Sequence, residues 1–209
     1  DAFFSDRIVV PEHERDQYIE PIVYLPAWLC YAPAGDAPDV AAPPSVEHGY
    51  ITWGCFSRPN KVSPATLDLW AEVLKAAPDS RLMLKYGGWE RPERRQFMLR
   101  ELLRRGVTGD RRLTFAGMTS RQEHLAAYGM VDVILDTYPQ SGGISTLQAI
   151  WQGVPTLTLY GPHMGSRVSS VTMLHVGWAG MVAKSPDEFL RRSRERSTMR
   201  DRRPVRTFS

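Results

Sequence analysis

Cysteine is scarce. The chain of 209 residues holds two, Cys30 and Cys55, too few for a disulfide framework, so a reducing compartment, the cytoplasm, is expected. Long apolar runs are missing as well. None approaches the roughly 20 residues of a membrane span, so no membrane partner is expected. The opening "DAFFSDRIVV" has neither the basic stretch nor the apolar core of a signal peptide. It also lacks an initiating Met, and a chain that begins inside a longer protein is expected. There is no histidine–cysteine cluster at zinc spacing and no Asp-x-Asp pair for Mg²⁺ or Mn²⁺, so metal-independent chemistry is expected. Neither G-x-G-x-x-G nor G-x-x-x-x-G-K-[ST] occurs, which removes the dinucleotide and Walker-type readings. No internal repeat and no heptad stretch is present.

Hydrophobic residues make up 43% of the chain, enough for a globular body with a substantial core. The net charge of +3 does not mark a nucleic-acid binder, because it is unevenly spread. Residues 190–209, "LRRSRERSTMRDRRPVRTFS", hold eight Arg against one Glu and one Asp, a local +6, so the other 189 residues carry −3. The basicity belongs to the tail, 191–209, read here as a solvated, disordered end or the product of a shifted reading frame. Nucleic-acid binding through that tail is the competing reading. It requires binding that vanishes without 191–209 and falls steeply with salt.

Prolines crowd the first third, and "APAGDAPDVAAPPSVEHG" (32–49) reads as an extended connection over a surface. From Tyr50 strands and helices alternate. "YITWGCF", "SRLMLKY", "RRLTFAG", "VDVILD", "PTLTLY" and "GMVA" read as strands. A helix opens at Pro64 behind Ser63 as N-cap, with Leu67, Trp70, Leu74 and Ala77 on one face. Another runs from about Pro92 to Arg105 with Phe97, Leu99, Leu102 and Leu103 as its apolar side. A short one follows Ser120, with Glu123 at capping-box spacing. Further helices follow Gly143, span about Gly165 to Leu174, and cover "SPDEFLRRSRE". The alternation predicts an α/β fold, a Rossmann-like, doubly wound parallel sheet with right-handed crossovers. In such sheets ligands bind beyond the carboxyl ends of the strands.

Those ends carry the candidate residues. In "DTYPQSGGISTLQAIWQGVP" (136–155) a strand ends at Asp136, turns through Ser141, Gly142 and Gly143, and enters a helix on Ile144, Ser145 and Thr146. A helix start offers unpaired N–H groups and a positive dipole end. Glycine lets the backbone come close, and Ser145 and Thr146 add hydroxyl donors. An ordinary capped glycine turn has the same residues. Other strand ends add Arg58 and Lys61 after the first strand, Lys85 at the end of the second, and Arg121 and His124 after the third. As a set they describe a site for a polyanion.

The long ordered stretches "GYITWGCFSRPNKVSPATLDLWAEVLKAAPDSRLMLK" and "FAGMTSRQEHLAAYGMVDVILDTYPQSGGISTLQAIWQGVPTLTLYGPHMGSRVSS" resemble the C-terminal catalytic lobe of the O-GlcNAc transferase/SPINDLY family. Its bacterial members are the nearer likeness, from about Tyr18 to about Leu190. The resemblance implies the donor-binding lobe of a GT-B glycosyltransferase, which moves a sugar with inversion from a nucleotide sugar, typically UDP-GlcNAc, to Ser or Thr of a protein acceptor. By the same resemblance Lys61 is the lysine that holds the donor diphosphate and stabilises the leaving UDP. Arg58 contacts the donor where relatives often carry Gln. Arg121 lies near the ribose, and His124 packs against the uracil. Gly143, Ile144, Ser145 and Thr146 form the diphosphate-binding helix start. Two positions depart from the family. Gly143 stands where animal enzymes carry His, as is usual in bacterial relatives, and Gln148 replaces an acidic residue directed toward the ribose.

The resemblance also implies a division of the chain: 1–17 as the end of a missing N-terminal lobe, 18–49 as an interlobe connection, 50–190 as the nucleotide-sugar lobe. Acceptor contacts and the general base are expected in the absent lobe, preceded by helical (TPR) repeats. The chain alone is then expected to bind nucleotide weakly and to be inactive. Another donor (GDP-fucose, or UDP-glucose with Asn as acceptor) and a degenerate binding module remain open at this point. His13, His48, His163 and His175 are read as surface or packing residues, with His163 and Arg167 kept as weak candidates at the cleft edge.

Overall fold

A computed structural model describes residues 1–27, 31–33 and 35–198. Cys30 and residues 199–209 of the Arg-rich tail lie outside the described residues.

The regular body starts at β3 (Thr52–Cys55) and continues through α2 (Pro64–Ala76), β4 (Arg81–Lys85), α3 (Pro92–Arg104), β5 (Leu113–Ala116), α4 (Arg121–Ala126), β6 (Val133–Leu135), α5 (Ile144–Trp151), β7 (Thr156–Leu159), α6 (Val168–His175), β8 (Val182–Ala183) and α7 (Pro186–Thr198). The six strands form one parallel sheet in the order β5-β4-β3-β6-β7-β8. The chain enters at the centre, builds outward to β5, then returns to build the other half from β6. The order therefore reverses between β3 and β6, where Trp53 pairs with Val133 and Gly54 with Ile134. A crevice opens at such a reversal, because the connections leaving the two strands diverge.

Both faces of the sheet are covered. Leu82 and Leu84 of β4 join Trp53, Trp70, Leu74, Leu102, Leu135 and Phe189 in one buried cluster. Met83, between them, joins Phe56, Leu125, Tyr128, Val131 and Ile134 in another. The alternation follows from side chains leaving a strand on opposite faces.

The expected helix starts are present in atomic detail. Ser63 Oγ accepts the N–H of Thr66 at the head of α2. Ser120 and Glu123 exchange both bonds of a capping box. Trp70, fully buried, crosses from α2 to donate its indole N–H to the main-chain oxygen of Asp136 at 3.1 Å, so core packing reaches the loop after β6.

Four expectations are corrected. Residues 18–49 are not one extended connection. β2 (Ile22–Tyr24) pairs in parallel with β1 (Phe3–Ser5) as a separate two-stranded sheet, and α1 (Pro44–His48) precedes β3. Three-residue strands are too short to show a period amid prolines. The buried face of α3 is Met98 and Leu102, one turn apart, while Phe97 and Leu103 are exposed. The segment from Gly165 starts as a 3-10 turn, Met164–Ser166, and α6 begins at Val168. Residues 191–198 are helical rather than tail. Phe189 and Ser193 bury one face of α7, and Glu188–Arg192 and Arg191–Glu195 pair at i,i+4 spacing.

Replacing Trp70 by Phe keeps most of the buried volume but strands the Asp136 carbonyl. Unfolding stability should fall by about 1–3 kcal/mol, read from the urea midpoint at constant slope.

Candidate functional site

The residues that surround the crevice are placed by the ends of β3, β4, β5 and β6. Beyond β3 the chain makes a single 3-10 turn, Pro59–Lys61, before Ser63 caps α2. That turn sends the Lys61 ammonium across the crevice to the main-chain oxygen of Ser141 at 2.7 Å.

Beyond β6, Asp136 is buried, and its carboxylate organises the glycine turn. Oδ1 accepts the N–H groups of Thr137 at 2.9 Å and Gly142 at 2.8 Å, and Oδ2 accepts the hydroxyl of Thr158 in β7 at 2.7 Å. Burial still pushes this carboxyl up from its ordinary value, against those hydrogen bonds. Thr66 of α2 holds the next residue. Its hydroxyl donates to Tyr138 O at 2.7 Å and accepts Tyr138 N–H at 2.9 Å. The Tyr138–Pro139 bond is cis. Gly142 has no room for a side chain, since a Cβ would stand 2.3 Å from Thr146 Oγ1 and 3.1 Å from Ser169 Oγ. α5 then opens at Ile144, whose N–H and that of Ser145 have no carbonyl behind them in the helix.

The third wall comes from α4. His124 sits between Phe56 (ring centroids 5.8 Å apart) and the edge of Tyr128 (5.6 Å), with Nε2 at 3.2 Å from Gln148 Oε1. The Tyr128 hydroxyl donates to Ser145 O in the first turn of α5 at 3.0 Å. Burial lowers the pKa of His124, and the Gln148 bond opposes this only in part, so the imidazole is neutral at pH 7.

The result is a cleft of about 640 Å³. Arg58, Lys61, Arg121, His124, Gly143, Ile144, Ser145 and Gln148 all line it, with Phe56, Ser57, Tyr86, Gly117, Met118, Thr119 and Gln140. Three cations and no carboxylate face it. Three expected residues stand behind the wall instead. Lys85 is buried, donating to Gly117 O at 3.2 Å and Thr119 Oγ1 at 2.8 Å. It thereby holds the loop that carries Met118, and burial lowers its pKa. Gly142 shapes the turn from within. Thr146 offers no hydroxyl to the cleft: it is buried, with Oγ1 2.9 Å from Ser169 Oγ. Arg167 is buried away from the cleft and His163 is exposed.

Phe56 and Tyr86 were findable, since each follows directly on a strand, and Ser57 is the next residue after Phe56. Met118, 74% exposed at the mouth, has no sequence signal. Among the described residues no group of three or more His, Cys, Asp or Glu is placed to hold a metal ion, and no helix is long and apolar enough to cross a membrane.

Comparison with known proteins agrees with this geometry. Residues 45–204 match the model of glycosyl transferase family 41. The Arabidopsis thaliana protein named probable UDP-N-acetylglucosamine–peptide N-acetylglucosaminyltransferase SPINDLY is 31% identical over 194 residues, 92% of this chain and 21% of the relative. The Caenorhabditis elegans UDP-N-acetylglucosamine–peptide N-acetylglucosaminyltransferase is 27% identical over 135 residues, 65% of this chain and 11% of that protein. Among solved structures, a mutant of the Thermobaculum terrenum O-GlcNAc transferase superposes with a TM-score of 0.89 at 33% identity, over 95% of this chain and 37% of that one. The chain thus spans about a fifth of the length of the plant relatives.

Two outcomes follow from the geometry. Gly142→Ala must displace the Thr146–Ser169 pair and should cost about 1–3 kcal/mol of stability, measured by denaturant unfolding. His124, with its folded pKa below the unfolded value, contributes stability that is present above pH 6.5 and is lost as pH falls through the folded pKa. Unfolding at pH 7.5 and 5.5 should show that loss in the wild type and a smaller one in His124→Gln.

Proposed function

We infer a nucleotide-sugar-dependent transferase from one premise: this chain belongs to glycosyl transferase family 41. We propose that it forms the donor-binding lobe of a protein O-glycosyltransferase that moves N-acetylglucosamine from UDP-GlcNAc to Ser or Thr of acceptor proteins. The observation that carries the reading is the meeting of Lys61 with the Gly142 turn and the head of α5 in one cleft at the reversal of the sheet.

Glycosyl transfer breaks the bond from the anomeric carbon to the donor diphosphate, and negative charge grows on the departing oxygen. Lys61, Arg58 and the N–H groups of Ile144 and Ser145 meet that charge where it develops, as preformed donors that need no reorganisation. They do the work a divalent cation does in other transferases, so the reaction proposed is metal-independent. His124 and Phe56 offer aromatic surface for the base, and Gln148 and Arg121 offer polar groups for the ribose. A neutral amide at Gln148 can bond a hydroxyl as donor or acceptor. The one lining imidazole, His124, is engaged with Gln148 and is assigned to the base of the donor. Acceptor activation is therefore assigned to the rest of the protein, with residues 1–17 as the end of its other lobe and helical repeats selecting acceptors. A cytoplasmic setting fits the buried free thiol of Cys55, whose pKa burial raises to about 12.

Calorimetric titration tests this directly. The chain should bind UDP in preference to GDP, and Lys61→Ala should weaken UDP binding by about 10- to 100-fold, the size of one charge-assisted phosphate bond. In the full-length enzyme the same substitution should cost about 10²–10³ in turnover. A folded chain that binds neither nucleotide sinks the reading, and preference for GDP redirects it to another donor.

A further inference from the structure

Arg167 commits all five of its N–H donors. Nε donates to Gly161 O at 2.9 Å. One terminal nitrogen donates to Val9 O at 3.1 Å and Glu14 Oε2 at 2.8 Å. The other donates to Glu14 Oε1 at 2.5 Å and to Pro162 O. A buried guanidinium thus fastens the stretch after β1 to the loop after β7. A planar fork matched to a carboxylate and three carbonyls leaves little play.

The loop passes the constraint on. Its 3-10 turn is closed by Ser166, whose hydroxyl donates to His163 O at 2.6 Å and accepts His163 N–H at 3.1 Å. A Cβ on Gly161 would fall 2.3 Å from Ser166 Oγ and 2.9 Å from the Tyr138 ring, so the loop is packed hard against the turn after β6. Gly165 O accepts twice from Ser141, from N at 2.9 Å and from Oγ at 2.8 Å. Ser141 O is the acceptor that holds the Lys61 ammonium.

We propose that Glu14 and Arg167 are positioning residues for Lys61, acting through Gly165 and Ser141. The anion-binding turn has its working shape only while the stretch from Asp6 to Glu14 is seated. That stretch lies outside the six-stranded sheet, so a movement of whatever it is joined to upstream reaches the diphosphate site along this chain of bonds. The proposal rests on the reading of Lys61 as an anion-binding residue.

A double-mutant cycle on UDP affinity tests it, using Glu14→Gln, which keeps the shape and removes the charge, and Ser141→Ala, which removes the hydroxyl link to Gly165. Each should weaken UDP binding by about three- to tenfold at a temperature where all variants are fully folded. The double variant should be little worse than the worse single, because both cut the same chain. Additive effects, or unchanged affinity in Glu14→Gln whatever its melting temperature, overturn the proposal. Amide hydrogen exchange of residues 140–143 in the same samples gives a reading that needs no nucleotide. It should quicken in Glu14→Gln beyond its rise in Leu102→Ala, a substitution at a buried residue of α3, scaled to equal loss of stability. Exchange no faster than in that control overturns the proposal even if the chain binds no UDP, an outcome that by itself counts against the proposed function.

Discussion

One buried carboxylate organises the anion-facing half of the cleft. Asp136 sits buried at the end of β6, and its two oxygens are met by Thr137 N–H, Gly142 N–H and the Thr158 hydroxyl. Each bond belongs to a different part of the fold: the chain leaving the strand, the glycine turn, and the neighbouring strand. Its main-chain oxygen is taken by Trp70 from the helix above. A buried charge left short of donors is costly, so these partners are bound to one another through it. Because Gly142 N–H is already spent on Asp136, the turn presents the next N–H groups, at the head of α5, outward. The direction in which the cleft offers its donors follows from where this one side chain is satisfied.

The two halves of the sheet contribute unequally to that arrangement. The β3 side supplies long flexible cations, Arg58 and Lys61, on a short 3-10 turn. The β6 side supplies fixed backbone donors. A lysine has three donors and rotamer freedom to lose. Fixing it on Ser141 O before any ligand arrives removes part of that loss in advance. Lys85 shows the same economy one strand over, buried and bonded to Gly117 and Thr119, where it shapes a wall without touching the cleft.

Much of this was legible in the chain itself, for local reasons. Ser63 before Pro64 and the Ser120–Glu123 spacing are helix starts written in adjacent residues, and both cap as read. Strand ends are local too, which is why Lys61, Arg121 and His124 could be gathered into one site without coordinates, while Gln148, inside α5, entered through the family resemblance. What escaped depends on non-local contact. The parallel pairing of Phe3–Ser5 with Ile22–Tyr24 joins two short segments with no distinguishing period. Asp132, whose carboxylate accepts Ser45 N–H and Thr52 N–H, reads as an ordinary polar residue before a strand. Thr146 looks like a donor for the cleft, and only the place of Ser169 on another helix turns it inward. Arg167 has the composition of a cleft residue. Its partner Glu14, 153 positions away, makes it a buried tie.

The cleft is polarised along its length, and this constrains how the proposed donor can lie. Near the glycine turn stand Lys61 and Arg58. At the far wall His124 is neutral and bonded to a neutral amide, with aromatic rings on two sides. A carboxylate at position 148 would favour the imidazolium, adding charge at the end where the base is proposed to sit. Gln148 adds no charge there, so Arg121 of α4 is the one cation lining that wall. The polyanionic part of a nucleotide sugar is then drawn to one end, and its flat, uncharged part is accepted at the other. Reversing the ligand would set a diphosphate against Phe56 and a neutral imidazole, with Arg121 as its one cation, and a base against Lys61 and Arg58, left without an anion. Gln148 therefore offers a polar group for the proposed ribose while leaving His124 neutral beside it.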